Sequence, residues 1–278
     1  FLRILPPFVF FAVLYCLLPL AWGGMTWEQS VADLKNLPLN FPSMAGHLWF
    51  MYPLISLYLI MPVISPWLEK ASAKDELIFL GIFAFSTFMP WLHKFVAPEL
   101  WGECFWNCYH MLWYCSGFIG FLVMAHFVRF HIRWTVKKRL TVGTVCFLAG
   151  AGFTAWSFWW KGVPGVLIDT PILEWAWEFC TPNVLCATFG LFLIFTCIGA
   201  NKSCKLITGI SKLSFGIYLM HMFFLAPIAA FFVNGNQANP IVPVYLAIPC
   251  IALLTFVCCT ITAKLLSYVP GSRWFLGA

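Results

Sequence analysis

The chain has 278 residues, of which 62% are hydrophobic, 19% aromatic and only 9% charged, whereas about a quarter of a soluble domain is charged. No soluble core hides that much apolar surface, so the composition excludes a soluble or secreted protein. The net charge of +6 does not point to nucleic acid, because the sixteen Lys and Arg are dispersed between apolar runs and form no groove-sized patch.

About 20 mostly apolar residues in a helix cross a hydrocarbon core about 30 Å thick. Eight runs qualify in chain order: Ile4 to Trp22, Leu48 to Leu68, Leu77 to Leu92, Tyr109 to Val128, Leu140 to Trp159, Trp177 to Ile198, Leu213 to Val233 and Ile241 to Leu266. They follow one another without a polar linker, so residues 1–278 read as one domain, an all-α polytopic membrane bundle of about eight transmembrane helices. Pro53 and Pro62 in the second run and Pro182 in the sixth each remove a helix hydrogen bond and predict kinks.

Basic residues favour cytoplasmic loops. With Arg3 inside, alternation puts thirteen Lys or Arg inside, among them Arg129, Arg133, Lys137, Lys138 and Arg139, against Lys35, Lys94 and Lys161 outside. Three acidic residues fall inside and seven outside. Both termini are therefore expected in the cytoplasm. Phe1 is not an initiating Met, and Arg3 abuts the first apolar run with no signal peptide ahead of it, so the chain reads as beginning partway into a longer protein.

Polar residues inside spans are costly and usually face the bundle interior or a water-filled cavity. In the seventh run Ser211, Ser214, Tyr218 and His221 are spaced 3, 4 and 3 apart and share one helical face. Ten residues of helix rise about 15 Å, so this stripe leads from the cytoplasmic surface to about the midplane; interhelical hydrogen bonding accounts for it equally well. Asn107, His110, Tyr114 and Gly117 form a second stripe in the fourth run, entered from outside, where Trp106, Tyr109, Trp113 and Tyr114 also suit an interfacial aromatic belt. His47 opens the second run at the outer face, followed by Trp49 and Tyr52. Glu174 and Glu178 stand one turn apart near the outer end of the sixth, placed to bind sugar hydroxyls or to face water.

His93, His126 and His131 fall at span ends or in loops, where an amphipathic ring needs no function. Most of the twelve Cys lie in apolar runs and read as small hydrophobes, while Cys104 and Cys108 could pair in an external loop. No metal site is inferred, and serine-hydrolase, zinc-protease, nucleotide-binding and dithiol motifs are absent.

Three segments carry a resemblance: Arg3-Ile4-Leu5-Pro6-Pro7; Gly46-His47-Leu48-Trp49-Phe50-Met51-Tyr52 leading to Tyr58-Leu59-Ile60-Met61-Pro62; and Ile210-Ser211-Lys212-Leu213-Ser214-Phe215-Gly216-Ile217-Tyr218-Leu219-Met220-His221. They resemble, in order, the acyltransferase type three family of integral-membrane enzymes that O-acetylate bacterial surface polysaccharides. The resemblance implies ten helices with both ends cytoplasmic, so two helices would precede Phe1. Arg3 would then be the second Arg of an Arg-x-x-Arg motif, and the family's principal catalytic His, in the first helix, has no counterpart in this sequence.

The resemblance further implies acetyl transfer from cytosolic acetyl-CoA, as co-substrate and not as a bound cofactor, to a surface or lipid-linked glycan. A multi-pass protein of the plasma membrane, the bacterial inner membrane, is expected. On position, Arg3, Ser211, Ser214, Tyr218 and His221 are donor-side candidates. His47, His110, Glu174 and Glu178 are acceptor-side candidates, Trp49 and Tyr52 are further substrate-binding candidates, and His221, His47 and His110 are secondary catalytic candidates. A transporter or flippase, or an acyltransferase fragment without activity, would use the same architecture.

Overall fold

A computed structural model describes residues 3–162, 178–198, 204–233 and 242–277. Among these the regular secondary structure is helical, apart from an isolated bridge between Cys104 and Asn107. Six helices are long and apolar enough to cross a membrane: Leu5–Trp22, Gly46–Lys70, Ala73–Phe95, Val136–Lys161, Lys205–Phe232 and Val244–Leu266. Two shorter apolar helices, Phe118–Phe130 and Pro182–Phe195, complete the series. All eight fall in order on the expected runs, and the chain is a polytopic membrane helix bundle.

The two short helices show what apolarity alone does not fix. Residues 109–117, assigned to the fourth span, are turns and a 3-10 turn at Trp113–Cys115; helix begins only after Gly117, whose φ of 73° is a left-handed value. The stripe Asn107, His110, Tyr114 and Gly117 is therefore not a helical face. His110 shows why: its Nδ1 accepts the Leu112 N–H at 3.1 Å, a local bond that competes with the helical ladder. Pro182 starts its helix and does not kink it, in the first turn where its missing N–H is unpaired in any case. Pro53 is likewise in the first turn, whereas Pro62 and Pro66 are internal to Met51–Lys70.

The chain forms two compact units, Phe1–Tyr58 with Ser203–Ala278, and Leu59–Lys202. The first contains α1 (Leu5–Leu17), α2 (Trp27–Asn36), the start of α3 (Met51–Lys70), α9 (Lys205–Val233), α10 (Val244–Leu266) and α11 (Arg273–Leu276). Its core joins Phe11, Tyr15, Leu48, Met51, Leu213, Leu219, Met220, Cys259, Ala263 and Leu276. Close approach is built in by glycine: a Cβ on Gly216 would stand 2.8 Å from the Leu276 side chain, and one on Gly277 would meet the Arg3 carbonyl at 2.6 Å and the Phe215 ring at 2.7 Å.

Leu59–Lys202 contains the rest of α3, α4 (Ala73–Ser86), α5 (Met89–Phe95), α6 (Phe118–Phe130), α7 (Val136–Lys161) and α8 (Pro182–Phe195). Lipid tails are as apolar as Leu, so helix association in a bilayer depends on close packing and hydrogen bonds. α7 and α8 have both. A Cβ on Gly143 would meet the Gly190 carbonyl at 2.8 Å, and one on Gly150 would meet Ala187 at 2.7 Å. Asn183 Nδ2 donates to Thr154 Oγ1 at 2.7 Å, and Arg139 donates to the Thr196 carbonyl and hydroxyl at 3.2 and 3.0 Å.

Candidate active site

The polar face of α9 survives in the structure and acquires partners within its own unit. Ser211 and Ser214 are exposed, and Ser214 Oγ donates to the Ser211 carbonyl at 2.8 Å. One turn on, the Tyr218 hydroxyl donates to the His47 carbonyl at 2.5 Å. Next, His221 Nδ1–H donates to the Tyr218 carbonyl at 2.6 Å, which leaves Nε2 as the lone-pair nitrogen of the neutral ring.

His47 is delivered to this face by a tethered loop. The hydroxyl of Ser30 on α2 donates to the Cys16 carbonyl at 2.7 Å, fixing α2 to the end of α1. Asp33, further along α2, accepts the Ser43 N–H and hydroxyl at 3.0 and 2.8 Å. Ala45 N–H then bonds the Pro42 carbonyl, and a 3-10 turn at Gly46–Phe50 leads into α3.

At that turn the imidazole of His47 meets His221 edge to face, with ring centroids 4.7 Å apart, and Tyr15 at 5.1 Å. Both ring nitrogens of His47 are buried without a hydrogen-bond partner. The Leu219 carbonyl lies beside the ring, outside hydrogen-bond geometry, and is taken by the Tyr15 hydroxyl at 3.0 Å. A buried polar atom usually has a partner, so two lone ring nitrogens mark a place where another polar group fits.

Two hollows lie along α9, and neither is lined by His47, Tyr218 or His221. On the far side of His221 lies an apolar cavity of about 580 Å³ lined by Tyr15, Trp22, Met44, Met222, Phe223 and Ala230 among others. Toward the start of α9 a groove of about 580 Å³ is lined by Lys205, Lys212, Lys264, Thr260 and Ser267. Sixteen residues of helix separate Lys205 from His221, about 24 Å of rise.

The structure thus brings His47, Tyr218 and His221 together, although position alone set His47 on the acceptor side and the other two on the donor side. Ser211 and Ser214 share the helical face of Tyr218 and His221, whereas the lysine groove opens on nearly the opposite side of α9. Arg3 is exposed beside Gly277, twelve residues and about 18 Å of rise before Tyr15 on the parallel-running α1. Trp49 packs edge-on to Phe50, and Tyr52 contacts Phe8 and Phe41. His110 and Glu178 belong to the other unit, where Glu178 reaches Lys94 at 3.9 Å; Glu174 lies outside the described residues. Cys104 and Cys108 are both free thiols.

Tyr15 and the three groove lysines escaped the sequence reading. Tyr15 had a signal, since its hydroxyl interrupts the otherwise apolar helix Leu5–Leu17. The lysines had none, because Lys264 comes from a different helix.

A family model described as an acyltransferase domain matches residues 1–264. No curated protein and no solved structure matches the chain.

Proposed function

This chain belongs to the acyltransferase type three family, a family of membrane acyltransferases, and from that premise we propose that it moves an acetyl group from cytosolic acetyl-CoA to a hydroxyl of a surface or lipid-linked glycan. The observation that carries the site assignment is the meeting of the His47 and His221 rings, with Tyr15, which touches His47, also lining the apolar cavity.

Phosphates of acyl-CoA suit Lys205, Lys212 and Lys264, whose ammonium groups are point charges on long stems. To reach Tyr218 and His221, which share the other face of α9 with Ser211 and Ser214, the thioester end would pass around the helix from that groove. There the acceptor oxygen attacks the thioester carbonyl carbon, the C–S bond breaks and the CoA thiolate leaves. His221 Nε2 takes the hydroxyl proton and returns it to the thiolate, a role that suits an imidazole whose ordinary pKa is near neutrality. His47, with both nitrogens unbonded, is placed to orient the acceptor hydroxyl. The apolar cavity suits the lipid portion of a lipid-linked sugar.

Residue placement supports an orientation with the lysine groove on the cytosolic side, in a multi-pass protein of the bacterial inner membrane. The test is transfer of radiolabel from acetyl-CoA to endogenous glycolipid in membranes containing the complete open reading frame. Label in the glycan supports the reading. No label with acetyl-CoA, together with glycolipid movement across the bilayer, would replace it with a flippase.

A further inference from the structure

The unit Leu59–Lys202 holds a second cluster of chemical groups, independent of the acyltransferase reading. Glu76 stands in the first turn of α4, which Ser72 opens with a capping box: the Ser72 hydroxyl accepts the Asp75 N–H, and Asp75 accepts the Ser72 N–H. Asp75 is exposed, but Glu76 turns inward and its side chain is 0% exposed. An ionised carboxylate in that position demands a compensating charge.

α6 supplies the facing groups. A Cβ on Gly120 would overlap the Phe83 ring, so only glycine lets α6 lie this close to α4. The Phe83 and Phe121 rings pack edge to face there. With Phe83 opposite Gly120 the helices run antiparallel, and two turns back along α4 Glu76 comes level with the end of α6. His126 Nδ1 lies 3.0 Å and His131 Nε2 2.9 Å from the same oxygen, Glu76 Oε1. The second oxygen, Oε2, is buried with no hydrogen-bond partner. No Lys or Arg pairs with Glu76 among the described residues.

An ordinary buried ion pair would spread two imidazoles over two carboxylate oxygens. Here both rings aim at one oxygen and leave the other bare. The three donor atoms all lie within 4.8 Å of one another, and ligands of a tetrahedral zinc ion stand about 3.3 Å apart given bonds of 2.0–2.1 Å. Opening the two nitrogen–oxygen separations by a few tenths of an ångström lets a cation sit between them. A site with two imidazoles and one carboxylate leaves a fourth position open, as in zinc centres with three protein ligands. The cation would neutralise the carboxylate, and Oε2 gives it a second oxygen to bind.

We propose that Glu76, His126 and His131 form a divalent transition-metal site, with Zn²⁺ as its ion, that joins α4 to α6. The ligands are scattered along the sequence in pieces that no spacing motif reveals, which is why His126 and His131 looked idle.

The test uses the full-length protein, purified in detergent after chelator treatment and titrated with Co²⁺ and then Zn²⁺. The expected result is one cobalt per chain with the visible bands of four- or five-coordinate cobalt, displaced by Zn²⁺. Near-ultraviolet thiolate-to-cobalt absorption should be absent, which separates this site from the cysteines. Glu76→Gln keeps the shape and should weaken Zn²⁺ binding at least tenfold. His131→Asn, which changes a quarter-exposed side chain at the end of α6, should do the same if Glu76→Gln fails to fold. Zn²⁺ should also raise the melting temperature of the wild type more than that of either variant. Absence of saturable binding in the wild type, or equal binding in wild type and His131→Asn, would overturn the proposal.

Discussion

His47 and His221 reach one another from opposite ends of the chain, and their rings stand edge to face with centroids 4.7 Å apart. Tyr218 links them physically: its hydroxyl holds the backbone of His47, while its carbonyl fixes the ring of His221. One residue thus sets the position of one histidine and the tautomer of the other.

Tyr218→Phe removes the hydroxyl and leaves the His47 carbonyl without that donor. The expected loss of stability is about 1–2 kcal/mol, the cost of one unmade buried hydrogen bond. Thermal unfolding in detergent measures it, and acyl transfer should fall less than on loss of His221. An unchanged melting temperature would mean that the bond does not anchor the 3-10 turn at Gly46–Phe50.

The lysine groove predicts a separation of kinetic constants. Lys212→Glu or Lys264→Glu should raise KM for acetyl-CoA about tenfold, equivalent to about 1.4 kcal/mol of binding, and leave kcat within about twofold. Reduced kcat at unchanged KM would remove these lysines from donor binding.

Packing of α7 against α8 rests on glycines that admit no side chain. Gly150→Leu forces the backbone at Asn183 and Ala187 apart and should destabilise the unit by about 1–3 kcal/mol or more. The conservative comparison is Gly152→Ala, whose Cβ meets nothing within 4 Å and which should be tolerated. Yield and melting temperature of the two variants, measured side by side, check the contrast.

Acid should loosen the segment between α5 and α6. Burial holds His110 below its ordinary pKa of 6.5, opposed by Glu103 and assisted by the neighbouring His93. Unfolded chain therefore binds more protons at that site, and its contribution to stability, complete above about 6.5, declines as pH falls through that value toward the folded pKa. Glu103 acts lower on the scale. Burial alone would raise its carboxyl, but the His93 Nε2–H at 2.5 Å and the Leu100 N–H at 3.1 Å outweigh this and hold it below 4.5. Its contribution is present above 4.5 and is lost as pH falls through the lowered value. Limited proteolysis between residues 97 and 117 should accelerate below about pH 6.5 and again below about 4.5; rates flat with pH would contradict both assignments.

Hydropathy made the architecture legible because each apolar run contains a helix, in order, six of them long enough to cross a membrane. Its boundaries failed where local chemistry overrode apolarity, at Gly117 with its left-handed backbone and at Pro182, a helix start that looked like a kink. One helical face, Ser211 to His221, was readable because residue spacing along a helix is a local property. Which residue would face it was not, since His47 arrives through the chain of contacts from Ser30 to Asp33 to Ser43. The same limit hid the meeting of Glu76 with His126 and His131, which depends on Gly120 admitting the Phe83 ring.

The most direct measurement is acetyl transfer from radiolabelled acetyl-CoA to endogenous glycolipid in membranes carrying the complete protein, either wild type or His221→Ala, at matched levels of inserted protein. A general base contributes about 10²–10⁴-fold, so the variant should lose at least about 100-fold in rate. Transfer retained within about twofold would contradict the account and leave His221 as a packing residue.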